Sequence, residues 1–124
     1  MAEYDVDKAI THQDAHAGPK SKGKCAKFVR QAIEAGGIRL RLTITGDAQD
    51  YGPSLIAAGF SEKAAGGAPA KGDVAIIPAV PGHLSGHMCM YDGHQWVSDF
   101  KQTRGVYPAA EFRKVKPTIT FYSK

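Results

Sequence analysis

The stretch HMCMYDGHQWVSDF, residues 87–100, constrains the fold more than any other part of the chain. An Asp-Gly pair between two alternating apolar segments is a strong local signal for a β-hairpin. It predicts two short strands, roughly 87–91 and 95–100, turning at Asp92-Gly93-His94. A hairpin needs partners to bury its apolar face, and the flanking sequence supplies them. DVAIIPAV (73–80) reads as a strand ending in a Pro81-Gly82 turn, and TITFYSK (118–124) alternates like a further strand. The first half of the chain is helical instead. Residues 3–12 suit a short helix, followed by an irregular HAGPKSKGK loop. From Cys25, the apolar positions Ala26, Val29 and Ile33 follow helical spacing until Gly36-Gly37. DAQDYGPSLIAAGF (47–60) predicts a second helix stopped by Gly59, with SEKAAGGAPAKG as the loop to the first strand. Helices first and an antiparallel sheet after them make an α+β fold.

A chain of 124 residues predicts one domain, residues 1–124, with a core that needs no covalent staples. Its apolar fraction of 43% and charged fraction of 23% are those of a globular protein. No stretch reaches the ~20 apolar residues of a membrane-spanning helix. The first residues, MAEYDVDKAI, lack the basic-then-apolar pattern of a secretory signal. If the protein acts outside the cytoplasm, something else is expected to carry it there. The net charge of +4 suits an acidic partner, but only Lys20, Lys22, Lys24 and Lys27 cluster. No basic stripe interleaved with aromatics and no finger spacing appears, so nucleic acid is not the expected partner. Two cysteines do not make a disulfide framework.

The polar residues of the hairpin pose a chemical question. His87 opens one strand and Asp99 closes the other on the matching side of the pleat, so the hairpin is expected to bring a histidine beside a carboxylate on one face. An imidazole held at one nitrogen has a fixed tautomer and can move a proton at the other. His83 and His87 have the H-x-x-x-H spacing of a zinc site, but Pro81, Gly82 and Gly86 describe a loop, and that spacing works on a helix. No metal or other cofactor is therefore expected. Asp92 is expected to shape the turn. Cys89, between two methionines, reads as core or pocket wall.

Cys25 is different, because it stands at the first turn of its helix outside the apolar stripe. A helix N-terminus offers unpaired N–H groups and partial positive charge, which favour thiolate and can hold an oxyanion. A lowered thiol pKa is expected there, with Lys24 assisting. A cysteine at a helix start and a His–Asp hairpin some sixty residues on are the parts of a thiol hydrolase.

With these parts in place, GKCAKFVRQAIEAGG, KGDVAIIP and GHMCMYDGHQWVSDF resemble the papain-like bacterial wall hydrolases of the NlpC and CHAP groups. The resemblance runs from about residue 21 to residue 100. It implies helices packed on a small antiparallel sheet, with Cys25 as nucleophile, His87 as general base and Asp99 as the orienting third residue. The tyrosine of the NlpC pattern before the cysteine is missing, which leaves the second oxyanion donor unassigned. The short format is also similar to amidase toxins injected between bacteria by type VI secretion, and to small phage lysins.

The resemblance implies hydrolysis of amide bonds in peptidoglycan stem peptides through a thioester, with Trp96, Tyr91 and Ser85 contacting substrate. An immunity protein and a secretion apparatus are the implied protein partners, with synthesis in the bacterial cytoplasm and action in the periplasm or cell wall after secretion, injection or lysis. Two rival functions remain: a transferase or deamidase on the same fold, and a wall-binding module using exposed Tyr91, Trp96 and Tyr107.

Overall fold

Strands at 61–63, 74–77, 87–91, 96–97, 101–102 and 120–123, here β1 (Ser61–Lys63), β2 (Val74–Ile77), β3 (His87–Tyr91), β4 (Trp96–Val97), β5 (Lys101–Gln102) and β6 (Thr120–Ser123), form one sheet in the computed structural model. The structure describes residues 4–64 and 66–124. Strand order is β1-β6-β2-β3-β4-β5, and every pairing is antiparallel. Among the described residues, four α-helices accompany it: α1 (Val6–His16), α2 (Cys25–Ala35), α3 (Gly52–Ala57) and α4 (Ala110–Val115). The α+β expectation is met.

The hairpin turn forms as its sequence requires. Asp92 Oδ1 accepts the N–H groups of His94 and Gln95, each at 2.8 Å, which folds the chain over Gly93-His94. Met90 then faces Val97 and Tyr91 faces Trp96. A two-residue loop between antiparallel strands always sets odd-numbered residues opposite even ones, and opposed residues share a face. Trp96 therefore joins His87, Cys89 and Tyr91. Asp99 lies past the end of β4, in the turn to β5, where the pleat no longer sets a face. The expectation that Asp99 sits on a strand beside His87 on one face is corrected: its carboxylate accepts the N–H groups of Lys22 and Lys24 instead. The expected strand over 95–100 also shortens to two residues, because Ser98 N–H turns back to Phe100 O at 3.0 Å.

The two faces of the sheet bury different things. On one, Val74, Ile76, Met88 and Met90 pack under Ala26, Val29, Ala32 and Ile33 of α2 and Ala9 and Ile10 of α1. Each such side chain stabilises the fold by about 1.5–3 kcal/mol when fully buried, alanine less. Asp5 caps α1 by accepting Lys8 N–H at 3.0 Å. Its own N–H donates to Gly36 O at 2.7 Å, tying the start of α1 to the end of α2. A Cβ at Gly36 would lie 2.7 Å from Asp5 O, so a side chain there would push the two helices apart. The other face carries Ala75 and Cys89 with Trp96, and Ile77 with Phe112 of α4.

Several elements differ from their sequence expectations. The helix expected over 3–12 runs over 6–16, and its expected start at Glu3 lies outside the described residues. The segment 47–60 divides into a 3-10 turn, Ala48–Asp50, and α3, with Pro53 in the first turn of α3. Strand β1 occupies the start of a segment that reads as a loop, and Ala65 in that loop lies outside the described residues. Elements β5 and α4 were not anticipated.

Candidate active site

Helix α2 starts at Cys25 because a carboxylate organises the loop before it. Asp99 is fully buried, and its Oδ2 accepts Lys22 N–H at 2.6 Å and Lys24 N–H at 3.0 Å. Gly18 N–H meets Asp99 O at 2.9 Å, so the irregular loop is laced to the segment where β4 ends. Asp99 thus shapes the backbone on which Cys25 stands. The Cys25 side chain is half-buried and packs against the helix-side core.

The β3–β4 ladder stops at Met90–Val97, and Cys25 packs against the core cluster that holds Met88, the residue after His87. The Met88 N–H is near enough to the thiol to favour its thiolate. Burial pushes the Cys25 thiol above its usual pKa, and the Asp99 carboxylate adds to the rise. The N–H groups of Met88, Ala26 and Cys25 itself pull the other way and do not win. The expected lowering is therefore corrected. The helix-start amides act as foreseen, but desolvation outweighs them.

Gly86, with φ +73°, delivers His87. A Cβ at Gly86 would collide with Ile77 O and approach Gln49 Cβ at 2.8 Å, so only glycine permits this tight entry to β3. His87 is 6% exposed, and its Nε2 lies 2.7 Å from Gln102 Oε1. The Gln102 amide nitrogen donates to Gly105 O and Val106 O, each at 3.0 Å. Only the NH₂ end of an amide can serve two carbonyls, so the oxygen must face His87. An oxygen there accepts, which makes Nε2 the protonated nitrogen and leaves the Nδ1 lone pair uncommitted. Burial lowers the His87 pKa to about 4, against the Gln102 bond and the Asp99 charge, which raise it. At neutral pH the ring is an uncharged base.

Asp99 acts on both Cys25 and His87 through its charge, while Gln102 holds the ring. The sequence reading missed Gln102. The signal was available through register, since Gln102 pairs with Trp96 and so falls on the face of His87.

A groove of about 210 Å³ opens at the sulfur, lined by Gly23, Lys24, Cys25, Ala26, Lys27, Gly46, Ala48 and Ser85. Ser85 is thus beside Cys25, its hydroxyl donating to Asp47 Oδ1 at 2.9 Å. Tyr91 and Trp96 are elsewhere, packed with Phe121 on the sheet face away from α1 and α2. Trp96 is only 7% exposed, so the expectation of an exposed aromatic is corrected. Cys89 is fully buried beside Trp96, as core. His83 bonds Glu111 Oε1 at 2.6 Å through Nε2 and lies against Phe112. Among the described residues, no three His, Cys, Asp or Glu side chains are grouped to hold a metal ion.

The fold and its site can be set beside known proteins. The chain superposes on a solved structure of the native type VI effector–immunity complex Tae3–Tai3 from Ralstonia pickettii with a TM-score of 0.91. Identity is 48%, over 97% of this chain and 98% of that one. The chain belongs to the Tae3 family. The selenomethionine form of the same complex gives a TM-score of 0.87 at 49% identity, over 94% of this chain and 99% of that one. Beyond the Tae3 structures, the chain shares the fold of Ly7917, with a TM-score of 0.58 at 17% identity over 95% of this chain and 62% of that one. No family model matches the sequence, and no curated protein matches it.

Proposed function

We propose that this protein is a single-domain, papain-like cysteine amidase of the NlpC and CHAP type that cuts amide bonds in peptidoglycan stem peptides. The observation that carries the reading is one junction. Cys25 opens α2 on a loop held by the buried Asp99, α2 packs on β3, which begins at His87, and Gln102 sets the His87 tautomer. Membership of the Tae3 family supports a type VI effector, delivered to the periplasm and neutralised by an immunity protein. The burial of Trp96 weakens the rival picture of an aromatic wall-binding surface.

In this mechanism, His87 Nδ1 takes the thiol proton as the Cys25 sulfur bonds to the scissile carbonyl carbon. Backbone N–H groups at the start of α2 hold the oxyanion. The tetrahedral adduct collapses, the C–N bond breaks, and His87 returns the proton to the leaving amine. Water, deprotonated by His87, then hydrolyses the thioester and restores the thiol. Gln102 orients the ring throughout, and the buried Asp99 charge favours the transient imidazolium. A neutral thiol and imidazole in the resting state delay charge separation until substrate is bound.

Incubating wild type and Cys25→Ala with purified sacculi, and identifying released fragments by mass spectrometry, tests the reading. Amide-bond products are expected from wild type alone. A Cys25→Ala protein that releases the same fragments at a comparable rate would overturn it.

A further inference from the structure

The groove beside Cys25 has an electrostatic character that the fold itself does not require. Lys24 immediately precedes the cysteine and Lys27 follows two residues later, and both line the groove. Helix α2 has no acidic residue in its first turn and no side-chain cap. By contrast α1 begins with the Asp5 cap and Asp7, and α4 carries Glu111 in its first turn. Cations at a helix N-terminus oppose its dipole, so Lys24 and Lys27 stand where stability favours the opposite sign. Departures of this kind concentrate at functional sites.

Nearby carboxylates make other hydrogen bonds and form no ion pair with them. Asp47 accepts the Ser85 hydroxyl, Asp50 accepts the Thr45 hydroxyl at 2.6 Å, and Asp99 is committed to two backbone N–H groups. Among the described residues, no ion pair engages Lys24 or Lys27. Lys22, the other lysine of the loop, instead lies over the Phe28 ring at 5.7 Å. The lining residues of the opposite wall, Gly46, Ala48 and Ser85, are uncharged, and the Asp47 carboxylate behind them is bonded to the Ser85 hydroxyl.

We propose that Lys24 and Lys27 form a carboxylate subsite, so that the preferred substrate carries a free carboxylate on a residue next to the scissile amide. This rests on the hydrolase reading and adds its substrate class. The charge serves two ends. It holds the substrate in register over Cys25, and it offsets the repulsion that the buried Asp99 exerts on an incoming anion.

The test uses soluble muropeptides in two forms, with stem carboxylates free or converted to carboxamides. Wild type, Lys24→Met, Lys27→Met and the double variant are compared by kcat/KM, and melting curves check folding at these exposed positions. A charge-assisted contact predicts that wild type prefers the free carboxylate by about 10- to 100-fold. The preference falls in each single variant and approaches unity in the double variant, chiefly through a higher KM. Added salt raises KM for the carboxylate form alone. If wild type cuts both forms equally, or the double variant keeps the preference, the subsite falls while the hydrolase stands. If wild type cuts neither form, the hydrolase reading falls and the subsite with it.

Discussion

Two buried polar residues divide the work that a single third residue would be expected to do. Gln102, anchored on two backbone carbonyls, holds the imidazole through one hydrogen bond, whereas Asp99 fixes the loop that carries the thiol. Their variants should therefore fail differently. Gln102→Leu removes the acceptor for His87 Nε2–H and frees the ring to turn or change tautomer. We expect kcat to fall by about 10²–10⁴ with little change in KM, since positioning of a proton carrier is worth that much. Stability should drop by about 1–3 kcal/mol for the orphaned imidazole N–H. Asp99→Asn keeps an oxygen that can accept from Lys22 and Lys24, so its melting point should move less than that of Asp99→Ala. The alanine variant loses two bonds to a charged acceptor and should lose about 3 kcal/mol or more. Turnover and melting measured together decide the assignment. If Gln102→Leu turns over normally while Asp99→Asn is inert in a folded protein, Asp99 is the true partner of the ring.

Elements that carry their own local signal were legible in the sequence, and those made by contact were not. The hairpin turn was readable because Asp92 can serve two backbone N–H groups without help from the rest of the fold. Helix α2 was readable from Ala26, Val29 and Ile33, all of which are buried. Strand β5 has two residues and α4 has six, too short for either to show a period. Their position depends on Gln102 reaching His87 and on Phe112 filling the hollow by Ile77. Docking of α1 was equally hidden, since it uses a buried glutamine. Gln13 Nε2 donates to the carbonyls of Val97 and Ser98, where the β4 ladder ends. At the next residue, burial and then the Asp92 charge raise the Asp14 pKa to about 6. A carboxyl whose folded pKa is raised destabilises the fold above that pKa and ceases to do so as pH falls toward its unfolded value. Asp14→Asn should therefore stabilise the protein at pH 8, by about 0.5–1 kcal/mol after solvent screening. At pH 4 the gain should vanish. Urea titrations of both proteins at the two pH values check this, and an equal gain at both would show that Asp14 bears no such strain.

The whole molecule inherits a pH dependence from the burial of His87, the proposed catalytic base. The α+β order and the partnership of the cysteine helix with the hairpin were legible, because each lies in one contiguous motif. Which polar residue meets the imidazole was not, because it depends on parity across three strands. Burial that the sequence did not reveal also sets the acid limit. His87 ionises near pH 4 when folded, against about 6.5 in an unfolded chain. The unfolded chain thus binds more protons between these values, and stability must fall as pH falls through that window. Above about pH 6.5 the contribution is fully present, and within the window its slope is at most about 1.4 kcal/mol per pH unit. Asp14 opposes this trend over much of the same range, so wild type will show a muted slope. In an Asp14→Asn background the His87 dependence should emerge more steeply, and His87→Gln in that background should flatten it. The slope isolates the titration from the packing cost of the substitution, which shifts the whole curve without tilting it. Unfolding free energies at half-unit steps from pH 4 to pH 7 measure it directly. Equal slopes with and without His87 would mean that the imidazole is not buried uncharged, and the resting neutral pair proposed for Cys25 and His87 would have to be given up.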